Sequence, residues 1–276
     1  MRATPLIGLA LLSKMVLSAP AAFAGTPLLA HRAVYDLKLE RAASDSGITS
    51  LTGRMVYELR GSACDGYTVN FRYVAQSNTS EDQRITDQQT TTFEDGEAKT
   101  FSFVTKSFVN QDLESELRGN ATREPTLVKV ELLKPENKLL DLGPAQFPTQ
   151  HMIDLIDRAK KGETFYETTL FDGSEDGDKL SITTVVLGKQ STASGADPEV
   201  PVLATLAEQK FWPVDIAYFN ENGANTGEET PDYRISFKLY ENGLTRDVEM
   251  DYGDFVISGQ LVDLATFDPD TKDCAK

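Results

Sequence analysis

The sequence predicts a mainly β fold: a long antiparallel meander curled into a β-spiral or open barrel, with one amphipathic helix packed against it. Three observations predict it. Apolar and polar residues alternate with period two through roughly a dozen segments. Turn dipeptides separate those segments. Only residues 149–161 follow a helical period instead.

In the first strand, Ala33, Tyr35, Leu37 and Leu39 share one face, and Arg32, Asp36, Lys38 and Glu40 share the other. Tyr67, Val69, Phe71, Tyr73 and Ala75 alternate with Thr68, Asn70 and Arg72. Phe101 and Phe103 alternate with Thr100 and Ser102, and the stretch from Leu127 to Leu132 continues the pattern. Ile235, Phe237 and Leu239 do the same against Arg234, Ser236 and Lys238. One apolar face and one wet face per strand is the pattern of antiparallel sheet. Asp65-Gly66, Asp95-Gly96, Asp172-Gly173 and Asn242-Gly243 supply the residue types that tight turns need. Asn242-Gly243, between Tyr233–Tyr240 and Leu244–Tyr252, is the clearest hairpin.

In the helical segment, Met152, Leu155, Ile156 and Ala159 recur at helical spacing. Thr149 stands where a cap is expected, Arg158, Lys160 and Lys161 suit the negative end, and Gly162 stops the helix. A lone helix among strands packs on a sheet or fills the mouth of a curved one. Residues 190–200 and 220–231 read as exposed loops, too short for domain linkers. Residues 25–276 therefore form a single domain.

The first 24 residues read as a cleavable signal peptide. Arg2 precedes an apolar run from Leu6 to Leu17, and Ala22-Phe23-Ala24 gives a small-x-small cleavage pattern before Gly25. Lys14 interrupts the run. A membrane anchor is the alternative, but ~12 apolar residues are too few to cross ~30 Å of hydrocarbon. No cysteine follows the cleavage pattern, so a lipid anchor of the bacterial lipoprotein type is not expected, and no later segment is apolar enough to span. The mature chain is expected in the periplasm. Its formal charge is two units below the −16 of the full chain, because the leader carries Arg2 and Lys14. So acidic a body repels nucleic acid and anionic head groups.

Cys64 and Cys274 are the two cysteines of the chain. An even count behind an export signal reads as one long-range disulfide, with two buried thiols as the alternative. In the chain-entropy model a loop of that length is worth ~5 kcal/mol, and real bridges deliver ~2–4 kcal/mol.

No catalytic set stands out. His31 and His151, the two histidines, have no partner at metal-binding spacing, and a structural role is expected for each. No G-x-S-x-G elbow occurs, and paired glycosidase carboxylates are unidentifiable among 43 acids. Asp172, Ser174, Asp176 and Gly177 imitate the first half of a calcium loop, but the twelfth position is Thr183. A solvated hairpin turn is expected there, with calcium as the alternative. Asn78-Thr79-Ser80 and Asn120-Ala121-Thr122 match a glycosylation acceptor pattern, which matters only in a eukaryotic secretory pathway. No metal and no cofactor are expected. The apolar stripes of Tyr35, Leu37, Phe71, Tyr73, Phe101, Phe103 and Phe237, with Met152 and Ile156 of the helix, are either packed core or the lining of an apolar cavity.

Several segments together resemble the EipB family of periplasmic cell-envelope integrity proteins. They are His31-Arg32-Ala33-Val34-Tyr35, the stretch Gly61 to Tyr67, Phe147-Pro148-Thr149-Gln150-His151, Thr169 to Ser174, Phe211-Trp212-Pro213-Val214 and the closing Leu261 to Cys274. The resemblance covers nearly all of the mature chain. It implies a spiral of antiparallel strands with a helix against it, similar to carriers that move lipoproteins to the outer membrane. It implies protection of the envelope against stress, a periplasmic partner carrying helical repeats, no enzymatic activity, and a disulfide between Cys64 and Cys274.

The leading expectation is thus a non-catalytic periplasmic protein that binds a protein partner or an apolar envelope ligand, lipid or lipoprotein, in a curved sheet. A hydrolase acting on an envelope substrate is the alternative, and it requires convergent polar groups around His31 or His151.

Overall fold

A computed structural model describes residues 27–174, 176–220 and 230–268. The leader, Cys274, Glu175 and most of the 220–231 loop lie outside the described residues.

The chain opens with eight strands, β1 His31–Ala42, β2 Ile48–Ser62, β3 Gly66–Thr79, β4 Gln83–Glu94, β5 Thr100–Val109, β6 Asp112–Arg123, β7 Val128–Lys134 and β8 Lys138–Leu142. Helix α1, Pro148–Lys160, follows. Then come β9 Phe165–Leu170, β10 Ser181–Leu187, β11 Ser191–Thr192, a short helix α2 Val200–Leu203, β12 Lys210–Asn220, β13 Tyr233–Tyr240, β14 Thr245–Asp251 and β15 Phe255–Thr266. The strands form one sheet in the order β8-β7-β6-β5-β4-β3-β2-β1-β15-β14-β13-β12-β10-β9, with β11 on β12.

The first strand therefore sits mid-sheet, flanked by β2 and by the last strand, β15. His31 pairs with Leu59 on one side and with Thr266 on the other. Register shifts between Val34 and Tyr35, Leu39 and Arg41, and Ser236 and Lys238 mark bulges, which add local twist and let a long sheet curl. The curl brings the two outer strands to one seam. Past β8, the Gln146 amide donates to the Thr169 carbonyl (2.9 Å), and the Phe171 amide donates to the Gln146 carbonyl (2.9 Å). This single parallel bridge touches β9 without closing the sheet.

Helix α1 packs into the concave face. Leu155, Ile156 and Ala159 are buried in the main core with Tyr35, Leu37, Tyr166, Val185 and Ile216. Pro148 suits the first turn because its missing N–H costs nothing there. The sequence suggests Thr149 as the cap of the helix, but it does not cap it. Phe147 occupies the cap position without a side-chain bond, and the cap comes from the end of β4. The Glu94 carboxylate accepts the amides of Thr149 (2.7 Å) and Gln150 (2.9 Å).

A second core lies under β5, β6 and β7. Phe147 stacks on Phe101 with centroids 5.2 Å apart, and Phe171 meets Phe103 edge-on at 5.8 Å. Asp172-Gly173 does lie in a hairpin connection, between β9 and β10, but the connection is longer than a tight turn and is partly buried. Residues 171–180 form a long connection that seals this core with Phe171 and Leu180, both buried. Gly173 has φ of 67°, and a Cβ there would come within 2.7 Å of the Phe103 ring, so only glycine fits.

The 190–200 stretch is mostly exposed, as expected, but it is tied to the sheet. It carries β11 and delivers Glu199 to the interior, where that side chain is buried beside the fully buried Arg246. Arg246 Nη1 donates to Asp197 (2.7 Å) and Glu199 (2.9 Å), and Nε donates to the Tyr240 hydroxyl (2.9 Å).

Candidate functional site

The residues expected to line a cavity divide between the two cores. Tyr35, Leu37 and Ile156 are buried in the main core, with Phe71, Tyr73 and Met152 partly exposed at its margin. Phe101 and Phe103 belong to the other core, stacked with Phe147 and Phe171. The structure does not bring these two groups into one lining.

What it does bring together is a set of tyrosines on the concave face. Antiparallel pairing puts the end of β12, the start of β13 and the β14–β15 turn side by side. Tyr218 pairs in register with Tyr233, with rings 5.5 Å apart. The Tyr233 ring lies 4.9 Å from that of Tyr252, which stacks on Phe255 at 4.9 Å. Tyr73 of β3 approaches from the other arm of the sheet, close enough for its hydroxyl to influence that of Tyr233. Burial pushes the Tyr233 hydroxyl well above the usual tyrosine range, and the neighbouring Tyr252, Tyr218 and Tyr73 hydroxyls push it further. Burial also raises Tyr73, Tyr218 and Tyr252, with Asp172 adding to Tyr218. All four stay protonated and neutral at ordinary pH.

This face is not sealed. Tyr252 is 41% exposed, and Phe71, Tyr73, Tyr218, Tyr233, Ile235 and Phe255 rest on the main core while remaining partly open. The sequence reading found Phe71 and Tyr73 but missed Tyr218, Tyr233, Tyr252 and Phe255. A signal was there, because Tyr218 and Tyr233 flank one connection at inward positions of adjacent strands. What period two alone does not give is which end of the sheet the helix leaves uncovered.

The histidines are interior groups. His31 Nδ1 donates to the Leu29 carbonyl (2.7 Å), and burial lowers its pKa. His151, in the first turn of α1, is pushed down to about 4 by burial, partly offset by Asp154, and its Nε2 has no hydrogen-bond partner. Glu94 is pushed up to about 7 by burial, against the pull of the Thr149 and Gln150 amides and of Arg123. Its charge raises Tyr57, whose pKa burial already drives up, to about 12. Among the described residues, neither histidine meets a hydroxyl nucleophile in a hydrogen bond.

Around the acidic loop, Asp172 accepts the Ser174 amide (2.9 Å) and Asp178 pairs with Lys138 (3.0 Å). Thr183 is buried in β10 and donates to the Thr168 carbonyl (3.0 Å). Among the described residues, no group of three or more His, Cys, Asp or Glu side chains could hold a metal ion. A shallow depression of about 400 Å³ lies on the outer face of β6–β8, beside Asn120, Lys129, Glu131 and Leu139. No helix among the described residues is long and apolar enough to cross a membrane. Cys64 lies in the β2–β3 turn.

Comparison with known proteins agrees with this architecture. A crystal structure of a beta-barrel-like protein from Brucella abortus superposes with a TM-score of 0.83 at 52% identity, covering 87% of this chain and 99% of that one. The cell envelope integrity protein EipB of Brucella abortus (strain 2308) is 52% identical over 251 residues, which is 91% of this chain and 88% of the relative. The EipB-like family model matches residues 22–268, and the chain belongs to the EipB-like family.

Proposed function

We propose that this protein maintains the cell envelope from the periplasm without catalysis, by holding a protein partner against the aromatic face inside its curled sheet. The observation that carries the reading is a contrast within the concave surface. Helix α1 fills one part of it with Leu155, Ile156 and Ala159, and the Phe101–Phe103–Phe147–Phe171 cluster fills another. The tyrosine face remains half open, and its rings are amphipathic, as interface residues tend to be. A filled concavity favours partner binding over storage of an acyl chain. The name of the Brucella relative supports the envelope role, and the apolar leader with its Ala22-Phe23-Ala24 pattern supports export. Buried His31 and His151, with no nucleophile among the described residues bonded to either, give the hydrolase alternative no support.

The test is survival of detergent by cells whose sole copy carries Tyr233→Ala and Tyr252→Ala. We expect sensitivity close to that of a deletion, while His31→Asn and His151→Asn variants that still fold retain resistance. Full resistance with the tyrosine variant present at normal abundance overturns the reading.

A further inference from the structure

The tyrosine face has a chemical preference that goes beyond partner binding in general. Its rings form a continuous run, Tyr218 to Tyr233 to Tyr252 to Phe255, with centroid steps of 5.5, 4.9 and 4.9 Å. Asp172 is near enough to Tyr218 to disfavour the phenolate, and Asp254 lies in the same turn as Tyr252. Asp45 belongs to the β1–β2 connection, which is tied to that turn by the Ala43 amide donating to the Asp254 carbonyl (2.7 Å). Arginines close in sequence to the tyrosines are held in ion pairs, among them Arg72 beside Tyr73, which pairs with Asp87 at 2.8 Å. Arg41 pairs with Asp251 at 3.5 Å, and Arg234 pairs with Asp215 at 3.6 Å. Asp172 thus faces Tyr218, and Asp254 and Asp45 stand on the turns beside Tyr252, on a chain of formal net charge −16.

Each class of occupant meets these facts differently. A second copy of this chain or an anionic lipid head group would bring negative charge to an acidic rim on a body of net charge −16. A plain acyl chain would cover phenol hydroxyls and leave them without partners, which is costly. A lysine or arginine side chain suits both features, since its cation is attracted to ring faces and its N–H groups donate to phenol and carboxylate oxygens.

We infer that the face formed by Tyr73, Tyr218, Tyr233 and Tyr252 receives a basic peptide segment of a partner protein, seating a lysine or arginine against the rings and inside the Asp172–Asp254 carboxylates. This rests on the partner-binding reading above and names the chemistry of the partner.

The experiment is fluorescence anisotropy of the mature protein with a short fluorescein-labelled peptide of alternating Arg, Lys and Gly, and with its Glu-substituted counterpart. The basic peptide binds and the acidic one does not. Affinity falls about tenfold in Y233A/Y252A and a few-fold in D172N/D254N, while Y233F/Y252F, which keeps the rings, retains most of it. Binding weakens steadily as salt rises from roughly 50 to 300 mM. Thermal melts show which variants are folded, and the phenylalanine pair keeps the test decisive if the alanine pair is not. Equal binding by wild type and folded Y233A/Y252A overturns the inference, as does displacement of the peptide by neutral glycans or neutral lipid vesicles. If Y233A/Y252A cells lose detergent resistance but wild-type protein binds no basic peptide, the inference fails and the aromatic-face reading stands. If the variants change neither, both fail.

Discussion

Glu94 shows how much one side chain can organise. A helix begins with amide donors that have no partner inside it. In α1, two of them, on Thr149 and Gln150, end on one buried carboxylate. Glu94→Ala leaves those donors without that acceptor in a buried place, so we expect a loss of about 2–4 kcal/mol in urea unfolding. The pH dependence has a definite sign. The folded-state pKa of about 7 lies above the ordinary 4.5, so between those values the folded protein holds a proton that the unfolded chain releases. Stability from this group is therefore greatest below about pH 4.5 and is lost as pH rises toward 7, by up to ~1.4 kcal/mol per unit. His151 acts in the opposite sense. Its folded value of about 4 lies below 6.5, so stability from it is gained as pH rises between the two. The two slopes offset each other in the wild type. Glu94→Gln should unmask a stability that climbs with pH across this window, and His151→Asn one that falls; unfolding curves at several pH values check both. Parallel pH profiles for wild type and both variants would refute the assignment.

At the scale of elements, the sequence declared whatever obeyed a local period and concealed what was supplied from a distance. The strands and α1 were legible because a period of two or 3.6 is written within one segment. The cap of α1 was not, because Glu94 lies 55 residues before Thr149, and Thr149 offered a plausible local substitute. The acidic end of the mostly exposed 190–200 stretch was missed for a related reason. A polar run with Asp197 and Glu199 looks solvated, yet it is placed where the β14–β15 ladder opens. Pairing begins at Val248 and Gly259, and beyond that point the Glu199 Oε1 accepts the amides of Asp247 (3.2 Å) and Leu261 (2.6 Å). On the other side, the Tyr35 hydroxyl donates to the Thr245 carbonyl (2.6 Å). Glu199 thus stands in for missing ladder bonds while its other oxygen meets Arg246. Glu199→Ala should cost about 3–5 kcal/mol, since it leaves two amides without their acceptor and the buried Arg246 guanidinium with Asp197 as its remaining carboxylate. A paired Glu199→Leu, Arg246→Met variant should recover part of that loss, as measured by the denaturant midpoint. No recovery would mean that the amide bonds, rather than the charge pair, dominate. The tyrosine face escaped for a third reason: alternation assigns residues to a face of the sheet but not to the part of it that a helix covers.

For the whole molecule, the question is what keeps a long curled sheet from unrolling. Among the described residues, backbone pairing joins the two ends of the sheet only through the Gln146–Leu170 bridge, so the weight of the ladder falls on the middle, where β1 joins the first strands to the last. That junction makes the cysteine pair intelligible. Thr266 is in register with His31, and His31 with Leu59, five residues before Cys64. Beyond Thr266, the Phe267 amide donates to the Ala30 carbonyl (2.8 Å), and its ring lies 3.7 Å below the Arg60 guanidinium. The last described residue, Asp268, thus leaves the sheet beside the strand that leads to Cys64. Cys274 lies six residues beyond Asp268, a stretch of up to about 20 Å when extended. We therefore propose a Cys64–Cys274 bridge that clamps the central seam rather than either free edge. Such a clamp acts on global unfolding more than on fluctuations of the edges, because the seam opens only when the arms separate. Cys64→Ser and Cys274→Ser should each lower stability by about 2–4 kcal/mol, and reductant should do the same to the wild type but nothing further to the variants. Hydrogen exchange should show protection lost chiefly in β1, β2 and β15, with β8 and β9 unchanged. Two reactive thiols in the oxidised native protein, or melting temperatures that match in all three proteins, would exclude the clamp and leave β1 pairing alone to hold the spiral.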